Sequence, residues 1–441
     1  LSTADFPGNN LTLKTLNPAK PEAMPNTSRE NFLLTVNHRQ PGRVVVDFGS
    51  APVTGIHAVV VEKLRDYFGL EKRPVKIIEP YQMLGEVDED LVKAMKVDVI
   101  GFGGEKNMFG IPNRDWKLHR TFWGQEVLLP GEFNYTFNEN GDMLIHPEGD
   151  TSVPPSAMMP KTGYFFDAIE RQGPVDDSTL KVEDNLEEFG RITARDLEFW
   201  EKQIQQAEGS GKAVVANLGG TALGDIALVP AVQLKNPKGI RGVAEWYMST
   251  LIREDLVREI FDRQTDIAVE NLKDFYRVLG NRIDVVYICG ADFGTQNSTF
   301  CSPEAFDRLW VPYYKKMNDW IHQNTGWKTF KHSCGSIVSL LDLFIKAGFD
   351  IINPVQINAE GMDTAMLKRR FGDRIVFWGG GVDTQGAFAF GTPQQVKEQV
   401  KRQVGILNQN GGFVFNTVHN IQANVPFGNV VAMLEALDEI R

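Results

Sequence analysis

The chain has 441 residues, with 46 basic against 57 acidic side chains and a formal net charge of −11. A content of 42% hydrophobic and 23% charged residues excludes a disordered chain, a collagen-like repeat and a disulfide scaffold. The acidic balance argues against nonspecific nucleic-acid binding, and no run approaches the ~18 apolar residues of a membrane span. Three cysteines, Cys289, Cys301 and Cys334, fit a reducing cytoplasm, where a thiol is free, metal-bound or catalytic.

In chain order, residues 1–30 contain prolines and no clear period and read as a surface arm. The opening LSTADFPGNN has neither a basic start nor an apolar core, so no secretory signal is expected. Eight short apolar runs follow: 44–48 (VVVDF), 97–102 (VDVIGF), 214–218 (VVANL), 283–290 (IDVVYICG), 329–334 (TFKHSC), 350–356 (DIINPVQ), 375–379 (IVFWG) and 412–418 (GFVFNTV). Each is nearly continuous in apolarity, as strands buried on both faces are. Helical patterns separate the later runs. Ser302 and Pro303 open one helix running towards Gln323, and Thr392 and Pro393 open another that ends before Gly411. Segments 336–347, 361–371 and 427–440 are shorter amphipathic candidates, and basic runs such as Lys368, Arg369 and Arg370 read as a solvated helix face.

Eight strand–helix alternations are the count of a (β/α)₈ TIM barrel, here over residues 31–441. A doubly wound sheet is the alternative, but no glycine-rich dinucleotide turn follows the first strand. Residues 104–175 form an insertion after the second strand, rich in aromatic residues such as Trp116, Trp123 and Phe133. Asn138, Gly141 and Asp142 mark a hairpin turn within it. It is either a lid over the barrel mouth or a hydrophobic subdomain packed on the barrel. Residues 182–208 read as one long charged amphipathic helix.

Barrel chemistry sits where strands end. Those ends carry Asp292 and Gln296, His332 and Cys334, Asn353 and Gln356, Asp383, and then His419, Asn420 and Gln422. His332 and Cys334 are two apart, a spacing that sends both side chains to one face of a strand. Imidazole and thiolate are zinc ligands, and His419 supplies a third donor, which leaves one position open as in a catalytic zinc site. The plain alternative is a small buried cysteine beside a hydrogen-bonded histidine. Asp292 and Asp383 are candidates for acid/base work or for loop-capping carboxylates. Gly379, Gly380 and Gly381 suit either close approach to a ligand or a tight turn.

The motifs ADFGTQ (291–296), SPEAFDRLWVPYYKKM (302–317), KHSCGS (331–336), AGFDIINPVQ (347–356), FWGGGVDTQ (377–385) and VHNIQANVPFGNVVAM (418–433) together resemble the uroporphyrinogen decarboxylase superfamily. The lead-in SRENFLLTVNHRQPGRVVVDFG (28–49) resembles that superfamily's first strand. The resemblance implies a (β/α)₈ barrel and a homodimer. Its decarboxylases carry an arginine-rich segment near the first strand and an aspartate after the second. Here those stretches read DFGSAPVTGIHAVV and IGFGGEKN, with only Glu105 nearby. The corrinoid-dependent methyltransferases of the superfamily hold zinc with H-x-C and a later cysteine. His332 and Cys334 match the pair, and His419 stands where the cysteine would. The resemblance therefore implies a zinc-assisted methyltransferase acting on a small molecule, with Asp292, Asp383, His419 and Gln356 around the reaction and a corrinoid on a separate protein. A metal-free decarboxylase or lyase acting on a small carboxylate, using His419 and Asp292, and a binding barrel without turnover are the alternatives.

Overall fold

The computed structural model describes residues 26–441. Most of the arm expected over residues 1–30 lies outside the described residues. Its last residues instead open the helix Ser28–Val36, where the Thr27 side chain and Glu30 form a reciprocal capping box.

The eight apolar runs are eight strands: β1 (Val45–Val46), β2 (Val99–Gly103), β3 (Ala213–Asn217), β4 (Val285–Cys289), β5 (Lys328–His332), β6 (Ile351–Asn353), β7 (Val376–Trp378) and β8 (Phe413–Phe415). Their order is β1-β8-β7-β6-β5-β4-β3-β2 and every pairing is parallel. The seam between β1 and β2 is closed by Asp98. Its N–H donates to the Val46 carbonyl at 2.8 Å, and its carboxylate accepts the Val46 N–H at 2.9 Å. Arg43 and Arg441 pair with the same buried carboxylate at 2.5 and 2.6 Å. The helices Ala58–Tyr67, Ala194–Ala207, Glu254–Leu279, Val311–Asn324, Leu341–Lys346, Thr364–Phe371, Pro393–Leu407 and Phe427–Ile440 follow β1 to β8 in turn, which completes a (β/α)₈ barrel.

Strand alternation divides the core in two. Val45, Val99, Val215, Val285, Phe330, Ile351, Val376, Trp378 and Val414 fill the barrel interior, and a larger cluster lies between sheet and helices. Phe32 of the first helix meets Trp378 edge-on at 6.0 Å, and Trp378 meets Phe330 at 5.2 Å. The Trp378 indole N–H donates to Asp47 Oδ2 at 3.0 Å, so the largest interior side chain is tethered to the end of β1.

Two helix expectations are corrected. Residues 182–208 do not form one helix: a 3-10 turn covers Val182–Asn185, and the α-helix is Ala194–Ala207. Thr193 and Asp196 make a capping box that starts the helix there, after Gly190 interrupts the pattern. The helix opened by Ser302 is two, Pro303–Leu309 and Val311–Asn324, because Pro312 cannot donate to the preceding turn. The expected hairpin is present, with Tyr135–Phe137 antiparallel to Met143–Ile145 in a sheet extended by Ala157–Met159 and Asp167–Ala168. A second hairpin, Lys117–Arg120 with Glu126–Leu129, is joined by Val75–Glu79 from before β2, a strand the apolar-run pattern did not reveal. Its burial alternates, with Lys76 half-buried and Ile78 exposed, so it leaves no continuous buried run.

Burial pushes the Asp47 carboxyl up to about 6, although Ser50, Thr54 and Trp378 hydrogen bonds oppose the shift. A raised carboxyl pKa means that the folded state binds the proton more tightly than the unfolded chain. This contribution to stability is therefore fully present below about pH 4 and is lost as pH rises through 6. Asp47→Asn mimics the protonated form. Between pH 4 and pH 7 the stability of the native chain relative to Asp47→Asn is expected to fall by up to ~3 kcal/mol, measured by urea unfolding at each pH. A constant difference would show that Asp47 does not titrate in this window.

Candidate metal centre

His332 is the last residue of β5 and, two positions after Phe330, shares its inward face. Cys334 lies just past the strand end. His419 arrives on the loop after β8, whose path is held by the Asn420 side chain: its Oδ1 accepts the Gly55 N–H, and its Nδ2 donates to the Pro52 carbonyl and to Gln82. The donor atoms of His332, Cys334 and His419 all lie within 4.8 Å of one another. The His332 Nε2 to Cys334 Sγ distance is 3.4 Å, and the two imidazole centroids are 5.4 Å apart. A tetrahedral zinc with ordinary Zn–S and Zn–N bonds needs about 3.6 Å between sulfur and nitrogen. The spacing and the chemistry of the donor set therefore fit zinc.

The tautomer of His332 follows from its neighbours. Asn353 Nδ2 donates to the Trp378 carbonyl at 2.9 Å, which turns Asn353 Oδ1, an acceptor only, towards His332 Nδ1 at 2.6 Å. Nδ1 must then carry the proton, and Nε2 presents its lone pair to Cys334. Burial holds His332 below the usual histidine range, and burial with the neighbouring His332 pushes His419 down to about 4. Both imidazoles are thus neutral at pH 7, the form that binds metal. Burial, reinforced by Asp292, raises the Cys334 thiol well above its ordinary value.

Asp292 joins the cluster. Its Oδ1 accepts the Cys334 N–H at 2.6 Å and lies 3.6 Å from His332 Nε2. Gln356 Oε1 accepts the Gly335 N–H at 2.7 Å, and its Nε2 donates to Gln296 at 3.1 Å, so it holds the turn after Cys334. That turn passes so close to Gly294 that a Cβ at Gly335 (φ +89°) would lie 2.3 Å from the Gly294 carbonyl carbon. A cavity of about 330 Å³ opens beside Cys334 and His419, walled by Gln296, Gln356, Thr384, Gln385 and backbone.

The other sequence candidates lie differently. Asp383 is not part of that wall; its Oδ1 accepts the Gln385 N–H at 2.9 Å and shapes the turn behind Thr384 and Gln385. The Gly379, Gly380 and Gly381 run is packed closely against protein. Added Cβ atoms there would lie 2.9 Å from the Thr417 carbonyl, 2.7 Å from the Val355 carbonyl and 2.2 Å from the Phe415 ring. Glu105 pairs with Arg114 and Arg195 at 3.0 Å each. Residues 104–175 contribute none of the cavity's lining; they pack at the β1 end, where Gln125 donates to the Ala58 carbonyl. Three neighbours of the site escaped sequence reasoning: Asp225, Tyr287 and Lys331. Asp225 lies on a long loop with no pattern, whereas Lys331 stands inside the KHSC run, where strand alternation alone turns it away from His332.

The uroporphyrinogen decarboxylase (URO-D) family model matches residues 229–440, which hold all three candidate ligands and Asp292. These residues, just under half of the chain, are similar to that family. Among solved structures, a methyltransferase from Methanosarcina mazei is similar at 14% identity over 94% of this chain and 99% of that one, with a TM-score of 0.52. A GH53 catalytic domain from Ignisphaera aggregans (12% identity, 91% and 96% covered, TM-score 0.35) and a β-glucosidase from Pyrococcus furiosus (10%, 91% and 97%, 0.34) are more distant. The Methanosarcina likeness is one of fold, and it agrees with the superfamily's barrel. No curated protein matches the chain.

Because Gly381 packs against Phe415, Gly381→Ala is expected to cost about 1–3 kcal/mol of stability through overpacking, read by chemical denaturation. Metal affinity should be unchanged. Unaltered stability with a weakened ligand affinity would instead put the run in contact with a ligand.

Proposed function

We propose that the chain is a zinc-assisted methyltransferase that moves a methyl group between a small substrate and a corrinoid carried by a separate protein. The observation that carries this reading is the His332, Cys334 and His419 donor set, spaced for a tetrahedral metal beside an open cavity. The similarity to the uroporphyrinogen decarboxylase family and the methyltransferase among the fold neighbours support it. Zinc held by these three residues would supply a Lewis acid that polarises the substrate's oxygen, sulfur or nitrogen.

The protein's own residues do the rest. Asn353 aims the His332 lone pair, and Asp292 and Gln356 hold the backbone on either side of Cys334. Gln296, Gln356, Thr384 and Gln385 offer neutral hydrogen-bonding groups that orient a polar substrate. Asp292, whose Oδ1 accepts the Cys334 N–H and lies 3.6 Å from His332 Nε2, stands beside the donor set and is the carboxyl group assigned to proton transfer at the substrate heteroatom. Asp383 acts at one remove by shaping the Thr384 and Gln385 wall. No lysine or arginine is among the residues lining the cavity, which disfavours a decarboxylase that must grip a carboxylate.

Elemental analysis of protein purified without added metal is expected to find about one zinc per chain. His332→Ala and Cys334→Ala should abolish it, and Asn353→Ala should weaken zinc binding about 10- to 100-fold. A native chain that takes up no zinc even when it is offered would sink the metal centre. Zinc-loaded protein supplied with cob(I)alamin and methyl donors should form methylcobalamin, followed by absorbance. Asp292→Asn should slow that transfer by about 10²-fold or more. Methylation at an unchanged rate in Asp292→Asn would remove Asp292 from proton transfer.

A further inference from the structure

Lys331 stands between the turns that carry Asp292 and Cys334, yet neither the barrel interior nor the cavity uses it. Strand alternation sends its side chain into the layer between sheet and helices, where it is fully buried. Nζ donates to the Ala291 carbonyl at 2.5 Å and to the His332 carbonyl. It lies 5.0 Å from the Phe293 ring centroid and 5.9 Å from that of Phe344, and 3.7 Å from Cys289 Sγ. Among the described residues it forms no ion pair. A buried cation is costly, and here the compensation comes from two carbonyls and two aromatic faces, with the buried Asp225 carboxyl near enough to interact.

Those carbonyls are not arbitrary. Ala291 immediately precedes Asp292, and His332 immediately precedes the Ser333–Cys334 turn. The same two segments are tied again by the Phe293 N–H to Ser333 Oγ at 2.8 Å and by the Cys334 N–H to Asp292 at 2.6 Å. One side chain thus grips the backbone at the ends of β4 and β5 from behind, while Asp292 and Ser333 join them in front. The rings of Phe293 and Phe344 would pack an apolar side chain of similar length without desolvating a charge, so packing alone does not call for lysine here.

We propose that Lys331 is a positioning residue of the metal centre: by anchoring the Ala291 and His332 carbonyls it sets the spacing between Asp292 and the His332–Cys334 pair. This rests on the metal reading above for its spectroscopic test, but not for its backbone test. Lys331→Met keeps the length of the side chain and removes its donors. The variant is expected to bind cobalt(II) at least tenfold more weakly than the native chain, with an altered visible spectrum. The Phe293 and Cys334 amides should exchange hydrogen faster than any change in global stability explains. In Lys331→Ala, propylammonium should restore the native spectrum and protection, whereas propanol should not.

A native cobalt spectrum and native amide protection in Lys331→Met would overturn the proposal, as would equal rescue by propanol. Should Lys331→Met fail to fold, Lys331→Arg keeps the charge and lengthens the reach. An altered spectrum in it supports the proposal and an unaltered one overturns it. If the native chain itself binds no cobalt, the metal reading fails. The exchange of Phe293 and Cys334 then decides Lys331 alone, faster exchange supporting it and unchanged exchange overturning it.

Discussion

The site depends on one side-chain amide. Asn353 ends β6 with its Nδ2 committed to the carbonyl of Trp378 at the end of β7, which leaves only Oδ1 to face His332 at the end of β5. Three adjacent strands are thereby joined above the barrel core by one residue with a donor on one side and an acceptor on the other. The arrangement dictates which imidazole nitrogen carries the proton, and so which one is free. Trp378 extends the link to β1, because its indole N–H is bound by Asp47. The packed interior and the orientation of the candidate ligand are therefore one connected hydrogen-bonded structure. Disturbing the tryptophan layer would be felt at His332.

Around that link the two faces of the sheet divide the work. Inward positions of β5 carry Phe330 and then His332, so the same alternation that fills the barrel also brings a ligand to its mouth. The outward position between them carries Lys331, which holds the backbone of the two turns from the helical layer. Buried polar groups in such a place are expensive unless satisfied. Here His332, Asn353, Asp292 and Lys331 each have partners, which fixes the site's shape before any ligand arrives. The glycines nearby serve the same end. Gly335 and the Gly379, Gly380 and Gly381 run let backbone segments approach more closely than any side chain would allow, and what they approach is protein.

The barrel was legible because parallel strands buried on both faces leave nearly continuous apolar runs, and all eight runs became strands in one sheet. Helix starts were legible where a cap residue stood before the pattern, as at Ser302 and Thr392. Boundaries were lost where the pattern ran on through a breaker. Residues 182–193 keep a helical period but Gly190 and the Thr193 cap end it, and Pro312 splits the helix that Ser302 begins. Val75–Glu79 was lost for a different reason: its partner, Glu126–Leu129, lies beyond β2 in the insertion, and its burial alternates, with Lys76 half-buried and Ile78 exposed.

The sequence by itself determined the number of barrel strands, the strand-end position of every candidate ligand and the shared face of His332 and Cys334, since each follows from local periodicity. It also carried the superfamily's motifs in order. What only the tertiary structure decided is which strand ends converge. That His419 comes within 4.8 Å of His332 and Cys334 depends on closing the barrel, and that Lys331 meets the Ala291 carbonyl depends on pairing β4 with β5. Closure joins residues some 85 positions apart in the chain. No local pattern encodes such a distance, because it is set by strand tilt and by packing of the interior, which are properties of the whole ring.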